Sequence, residues 1–147
     1  MKQDTEEEGT QIAFFSHDTT PFVLDQQAEV RQWLLTITGD RAVTSLEYVY
    51  CSDDFLLEIN RTHLNHDYLT DVITFPLQYD PMEATVYISI DRVRENADLY
   101  ASTFMDELHR VMVHGILHLL GYDDKTPESK SKMREMEDAS LARRHFI

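Results

Sequence analysis

Apolar residues recur along the chain with two different periods, and the switches between them mark its elements. IAFF, at 12–15, reads as a short strand. From about Asp25, a candidate N-cap, Val30, Trp33, Leu34 and Ile37 fall at helical spacing and Gly39 supplies a stop. That pattern predicts an amphipathic helix with Trp33 in the core. SLEYVYC then sets Leu46, Tyr48 and Tyr50 against Glu47, Val49 and Cys51, the two-residue alternation of a strand. Ser52 is placed to cap a short helix carrying Phe55, Leu56 and Ile59. DVITF and TVYISI read as two further strands of one small sheet, separated by a loop holding Pro76 and Pro81.

The C-terminal third has helical period throughout. Asp91 to about Ser102 places Val93, Ala97 and Tyr100 on one face, and Thr103 with Asp106 offers a capping pair for the next helix. That helix carries Met105, Leu108, Met112, Ile116 and Leu119 as an apolar stripe and ends at Gly121. Thr126 and Pro127 fit the N-cap and first position of a last helix reaching about Arg143. No repeat or low-complexity linker interrupts this order. The expectation is a single α+β domain over residues 11–147, with a mixed sheet of about four strands packed with five or so helices. The first helix and the histidine helix lie against that sheet, and a metal site sits at the end of a C-terminal helix. Asp4, Glu6, Glu7 and Glu8 mark residues 1–10 as a flexible acidic tail.

Composition narrows the setting. A length of 147 residues suits one domain, and the single cysteine, Cys51, has no intramolecular partner for a disulfide. The N-terminal MKQDTEEEGT lacks the features of a secretory signal, and no apolar stretch approaches the roughly 20 residues of a membrane span. A cytoplasmic location is expected. Thirteen Lys and Arg against 27 Asp and Glu give a net charge of -14, which opposes nonspecific affinity for polyanions or anionic membranes. Any nucleic-acid role must rest on a local basic patch.

The chemistry concentrates in HGILHLLGYDD, residues 114–124. Positions four apart share a helix face, so His114 and His118 can direct their rings at one point. Gly121 can adopt the left-handed conformation that turns the chain back, bringing an aspartate to the same point. Asp123 and Asp124 are both candidates, and the spacing favours Asp124. The pattern is that of the zinc-protease motif H-E-x-x-H-x-x-G-x-x-H, with aspartate for the last histidine and Gly115 for the glutamate. A carboxylate is an ordinary zinc ligand, and three protein ligands leave a fourth position open, as in catalytic sites. Glycine cannot act as the general base, which argues against a metalloprotease. Two histidines and one carboxylate also suit Fe(II), a choice that metal analysis separates from zinc.

The same string resembles the H-G-x-L-H-L-x-G-Y-D-H signature of the YbeY family of bacterial metal-dependent endoribonucleases, differing only at the last position. A second block, NRTHLNHDYLTDVITF, is similar to that family's N-x-x-Y-R-x-x-D-x-x-T-D-V-L-S-F segment at Asn60, Asp67, Thr70, Asp71, Val72 and Phe75, and VYISIDRVRENA resembles its I-x-I-S stretch and following helix. The resemblance implies one zinc ion held by His114, His118 and Asp124. It also implies cleavage of single-stranded RNA in ribosomal RNA maturation and ribosome quality control, with ribosomal proteins as partners. Three positions depart from the pattern. Asp124 replaces a histidine, Leu64 stands where the family has arginine, and Ala84, Thr85 and Val86 replace a G-D-I triplet.

For proton transfer, Glu107, seven residues before His114, is one candidate, and its other role is a favourable charge at a helix start. Arg61, one turn before Leu64, is the nearest substitute for the family arginine. Asp71 is a candidate substrate contact or a turn cap. Lys125, Lys130, Lys132 and Arg134 follow the metal turn and are candidate phosphate contacts, set against the solvated face that such runs usually form. The non-enzymatic alternative is a ribosome-assembly factor with a structural metal and an acidic surface that meets basic proteins.

Overall fold

The described residues, 11–17, 22–66 and 69–147 of a computed structural model, form β1 (Ile12–Ser16), α1 (Gln27–Thr38), β2 (Val43–Cys51), α2 (Asp53–Leu64), β3 (Val72–Gln78), β4 (Met82–Ser89), α3 (Ile90–Leu99), α4 (Phe104–Leu119) and α5 (Pro127–Leu141). The acidic tail expected at 1–10, and Asp67, lie outside the described residues. The strands form one sheet in the order β1-β2-β4-β3. β1 and β4 each run parallel to β2, and β3 runs antiparallel to β4. This is the mixed four-stranded α+β arrangement that the periodicities predict.

Strand alternation sorts the two faces. Leu46, Tyr48 and Tyr50 of β2 and Met82, Ala84, Val86 and Ile88 of β4 point into the main core, where Val30, Trp33 and Leu34 of α1 and Leu108, Met112 and Ile116 of α4 meet them. The other face carries a smaller cluster of Cys51, Ile73, Leu56 and Ile59 beneath α2. Trp33 is buried as expected, and its Nε1–H donates to the Ser140 carbonyl at 2.8 Å, which ties α1 to α5.

Helix α4 is held to the sheet at two points. The Tyr48 hydroxyl donates to the Met112 carbonyl at 2.8 Å. Three residues on, Gly115 lies so close to β4 that a Cβ there would stand 3.1 and 3.3 Å from the Val86 methyl carbons and 3.5 Å from Thr74 Oγ1. Thr103 caps the helix by accepting from the Asp106 N–H, as the sequence predicts.

Several boundaries differ from expectation for local reasons. Asp25 does not cap α1; the helix starts at Gln27 after a left-handed Gln26, with no side-chain cap. Pro76 lies inside β3 rather than in a loop, which an edge strand permits because it has one unpaired side. α3 ends at Leu99, before Ser102. The left-handed Ala101 (φ 55°) closes its last turn with Ser102 N–H bonding the Ala97 carbonyl. Tyr100 therefore leaves the face of Val93 and Ala97 and is exposed.

His109 is fully buried between Trp33 and Phe146, with Arg144 Nη1 donating to its Nδ1 at 2.8 Å. Its proton therefore sits on Nε2, which has no hydrogen-bond partner among the described residues. Burial, reinforced by the Arg144 charge, lowers its pKa to about 4.

Gly115→Ala is expected to destabilise the fold by about 1–3 kcal/mol through overpacking, and Val86→Ala in the same chain is expected to return part of that, as read by urea unfolding. For His109, the unfolded chain takes a proton near pH 6.5 and the folded chain only near 4. The unfolded state therefore binds more protons between those values, and stability drops as pH falls from 6.5 to 4, by roughly 3 kcal/mol from this group. His109→Gln should flatten that limb of the stability curve.

Candidate metal centre

The end of α4 builds the centre. Gly121 adopts φ 109°, and its N–H bonds the His118 carbonyl while the Tyr122 N–H bonds the Leu117 carbonyl, both at 3.0 Å, closing the helix in a Schellman turn. The chain folds back and sets Asp124 beside both histidines. His114 Nε2 lies 3.4 Å from Asp124 Oδ2 and His118 Nε2 lies 3.7 Å from Asp124 Oδ1. One ligand atom from each residue falls within 4.8 Å of the others. Two imidazoles and a carboxylate are a donor set that could hold one divalent metal ion. Asp123 instead turns toward the start of α5, where its Oδ1 accepts from the Lys125 N–H at 3.3 Å.

Residues beyond the motif orient the rings. His114 Nδ1 lies 2.7 Å from Glu137 Oε2 on α5, which leaves Nε2 to face the centre. Arg110, one turn before His114, donates to Glu137 Oε1 at 3.0 Å and to Asp138 Oδ1 at 2.8 Å. Burial alone would depress His114, but the Glu137 hydrogen bond and charge, with Asp124 and Asp71, outweigh it and hold its pKa above the ordinary 6.5. Burial and the neighbouring His114 lower His118. Sequence reasoning missed Glu137 and Arg110. The available signals were a glutamate between Met133 and Ser140 on the buried stripe of α5, and an arginine on the His114–His118 face of α4.

The centre opens into a cleft of about 890 Å³. Glu107, Asp71, Lys125 and Arg134 line it, whereas Arg61, Lys130 and Lys132 do not. Arg61 is exposed on α2, Lys130 is exposed on α5, and Lys132 pairs with Glu135. Leu64, where the resemblance leads one to expect arginine, lines the cleft. Glu107 is only 6% exposed, and burial followed by the Asp71 charge raises its pKa against the pull of Arg110 and Arg134. Asp71, at the start of β3, is raised mainly by burial.

Comparison with known proteins points one way. A family model described as "Endoribonuclease YbeY" matches residues 14–145. A Cytophaga hutchinsonii protein named "Endoribonuclease YbeY" is 49% identical over 99% of this chain and 100% of its own length. A Flavobacterium psychrophilum protein of the same name is 42% identical over 82% of this chain and 88% of its own. The solution structure of a Thermotoga maritima protein superposes with a TM-score of 0.63 at 28% identity, covering 88% of this chain and 86% of that one.

Metal capture should need all three residues. Isothermal titration with zinc is expected to give one site per chain in the wild type, and none of comparable affinity in His118→Ala or Asp124→Ala. Protons compete for the imidazole lone pairs, so affinity should weaken as pH falls. Because His114 is held above 6.5, the weakening should begin above that value in titrations repeated across pH.

Proposed function

The chain belongs to the YbeY endoribonuclease family, and on that premise we propose that it is a zinc-dependent, single-strand-specific endoribonuclease of the cytoplasm. Its work in this reading is ribosomal RNA maturation, at the 3′ end of the small-subunit RNA, and ribosome quality control, carried out by one hydrolase domain over residues 11–147. The observation that carries the reading is the meeting of His114, His118 and Asp124 with the cations Lys125 and Arg134 in one cleft. Neither cation forms an ion pair among the described residues, so both are available to phosphate oxygens.

The chemistry available from zinc held by His114, His118 and Asp124 is Lewis acidity toward a phosphoryl oxygen and an acidified water. The chain's own residues do the rest. Glu137 fixes the tautomer and tilt of His114, and Arg110 fixes Glu137. Lys125 and Arg134 orient the phosphodiester. With glycine at 115, proton transfer passes to Glu107, whose raised pKa brings it closer to neutral pH. As water adds to phosphorus and the P–O bond to the leaving sugar oxygen breaks, that oxygen takes the proton. Asp71, which also lines the cleft, is assigned a substrate contact.

The ribosome or a ribosomal protein enters as partner through charge. A chain at -14 repels a polyanion at long range, and tethering raises local RNA concentration without that attraction. A non-catalytic assembly factor with a structural metal is the second reading, favoured by Leu64 at the position of the family arginine.

Purified protein incubated with single-stranded ribosomal RNA fragments and with ribosomes decides between them. Cleavage in the wild type, lost in His114→Ala and after chelation, supports the nuclease. Glu107→Gln is expected to lower kcat by about 10²–10⁴-fold with zinc affinity intact. Cleavage that survives in His114→Ala comes from a contaminant, and its absence from the wild type in every context selects the assembly factor.

A further inference from the structure

The charge within the cleft is nearly balanced. Asp71, Glu107, Asp124 and Glu137 oppose Arg110, Lys125 and Arg134, and Arg110 is already committed to Glu137 and Asp138. A divalent ion turns a deficit of one charge into an excess of one. Phosphate attraction of that size, inside a chain at -14, supplies little binding energy for RNA. A single strand offers a second handle, the faces of its unpaired bases, which stack on aromatic rings at about 1–3 kcal/mol each.

Two rings are placed for it. Tyr79 and Tyr100 line the metal cleft and are 57% and 60% exposed. Exposed tyrosines scattered singly over a surface need no explanation, but these two share one cleft. They lie toward its opposite ends. Arg41 Nη1 donates to the Tyr79 carbonyl at 2.7 Å and reaches the Leu119 carbonyl at 3.4 Å, which fixes Tyr79 beside the C-terminus of α4. Tyr100 lies in the turn that enters α4, its N–H bonded to the Asn96 carbonyl at 2.9 Å and followed by the left-handed Ala101. The 16 residues of α4 span roughly 24 Å, and His114 and His118 lie in the half nearer Tyr79, so Tyr79 is beside the centre and Tyr100 is toward the far end of the cleft. Both backbones are anchored, and neither ring stacks on another aromatic side chain among the described residues. Rings carried on anchored backbones and left bare lose less freedom on binding than rings on mobile loops would.

We propose that Tyr79 and Tyr100 are stacking platforms for unpaired bases, one beside the metal centre and one toward the far end of its cleft, and that these contacts supply more of the RNA affinity than phosphate attraction does. This rests on the endoribonuclease reading and names the part of the substrate that the cleft grips.

The test is binding of a short fluorescein-labelled single-stranded RNA to the full chain with zinc, followed by anisotropy at several salt concentrations, with RNA integrity checked on gels. A second RNA carrying 2-aminopurine reports stacking directly by quenching. Tyr79→Ala and Tyr100→Ala are each expected to weaken binding roughly 5- to 150-fold and to relieve quenching, with the salt slope unchanged. Tyr79→Phe and Tyr100→Phe should bind and quench as the wild type does. Lys125→Ala and Arg134→Ala should instead reduce the salt slope, by about 0.7 per lost contact. Alanine variants that bind as tightly as the wild type overturn the proposal and leave the nuclease reading standing, as do phenylalanine variants as weak as alanine, which would mark a hydroxyl contact. A wild type that binds no single-stranded RNA removes both.

Discussion

Helix α4 must lie within a methyl group's width of the sheet, and nearly everything else in this molecule accommodates that requirement. Gly115 permits the approach to Val86, and the Tyr48 hydroxyl bonds the helix backbone at Met112, so the segment just before His114 has little freedom to slide. With α4 seated, Leu108, Met112 and Ile116 complete the core while His114 and His118, on another face, meet the cleft. One helix is thus both core and site. The glutamate that zinc proteases carry after their first histidine would have no room here, because that position faces β4.

The second constraint is electrostatic. Glu137 is a carboxylate 6% exposed, and its burial is tolerated because Arg110 occupies one oxygen and His114 the other. Such a group holds a ring in one tautomer more firmly than solvent would. Glu107 differs, since burial leaves it without a hydrogen bond to any described side chain and raises its pKa. Two neighbouring carboxylates in one cleft therefore differ in state, one paired with an arginine and a histidine and the other pushed toward its protonated form by burial.

What the sequence made legible was local. The triad lies within 11 residues, and a helix period with a glycine return determines its geometry without reference to the rest of the chain. The strand alternation of 45–51, the Thr103 and Thr126 caps and the burial of Trp33 were legible for the same reason. What escaped depends on distant partners. Glu137 reaches His114 across 23 positions, and only the packing of α5 on α4 brings them together. Pro76 reads as a strand breaker until the sheet order makes β3 an edge, and Tyr100 shares a helical period with Ala97 until the left-handed Ala101 ends the helix. Asp25 has the right chemistry for a cap, but the left-handed Gln26 starts the helix without one.

The Glu137–His114 bond also has a consequence for the order in which the protein comes into being. A chain made from its N-terminus acquires His114, His118 and Asp124 before Glu137, so for that interval the candidate ligands exist without the carboxylate that orients one of them. The Glu137–His114 bond forms only once α5 has docked, with Trp33 bound to the Ser140 carbonyl and α4 paired through Arg110. The centre is therefore completed by α5, not by the segment that carries its candidate ligands.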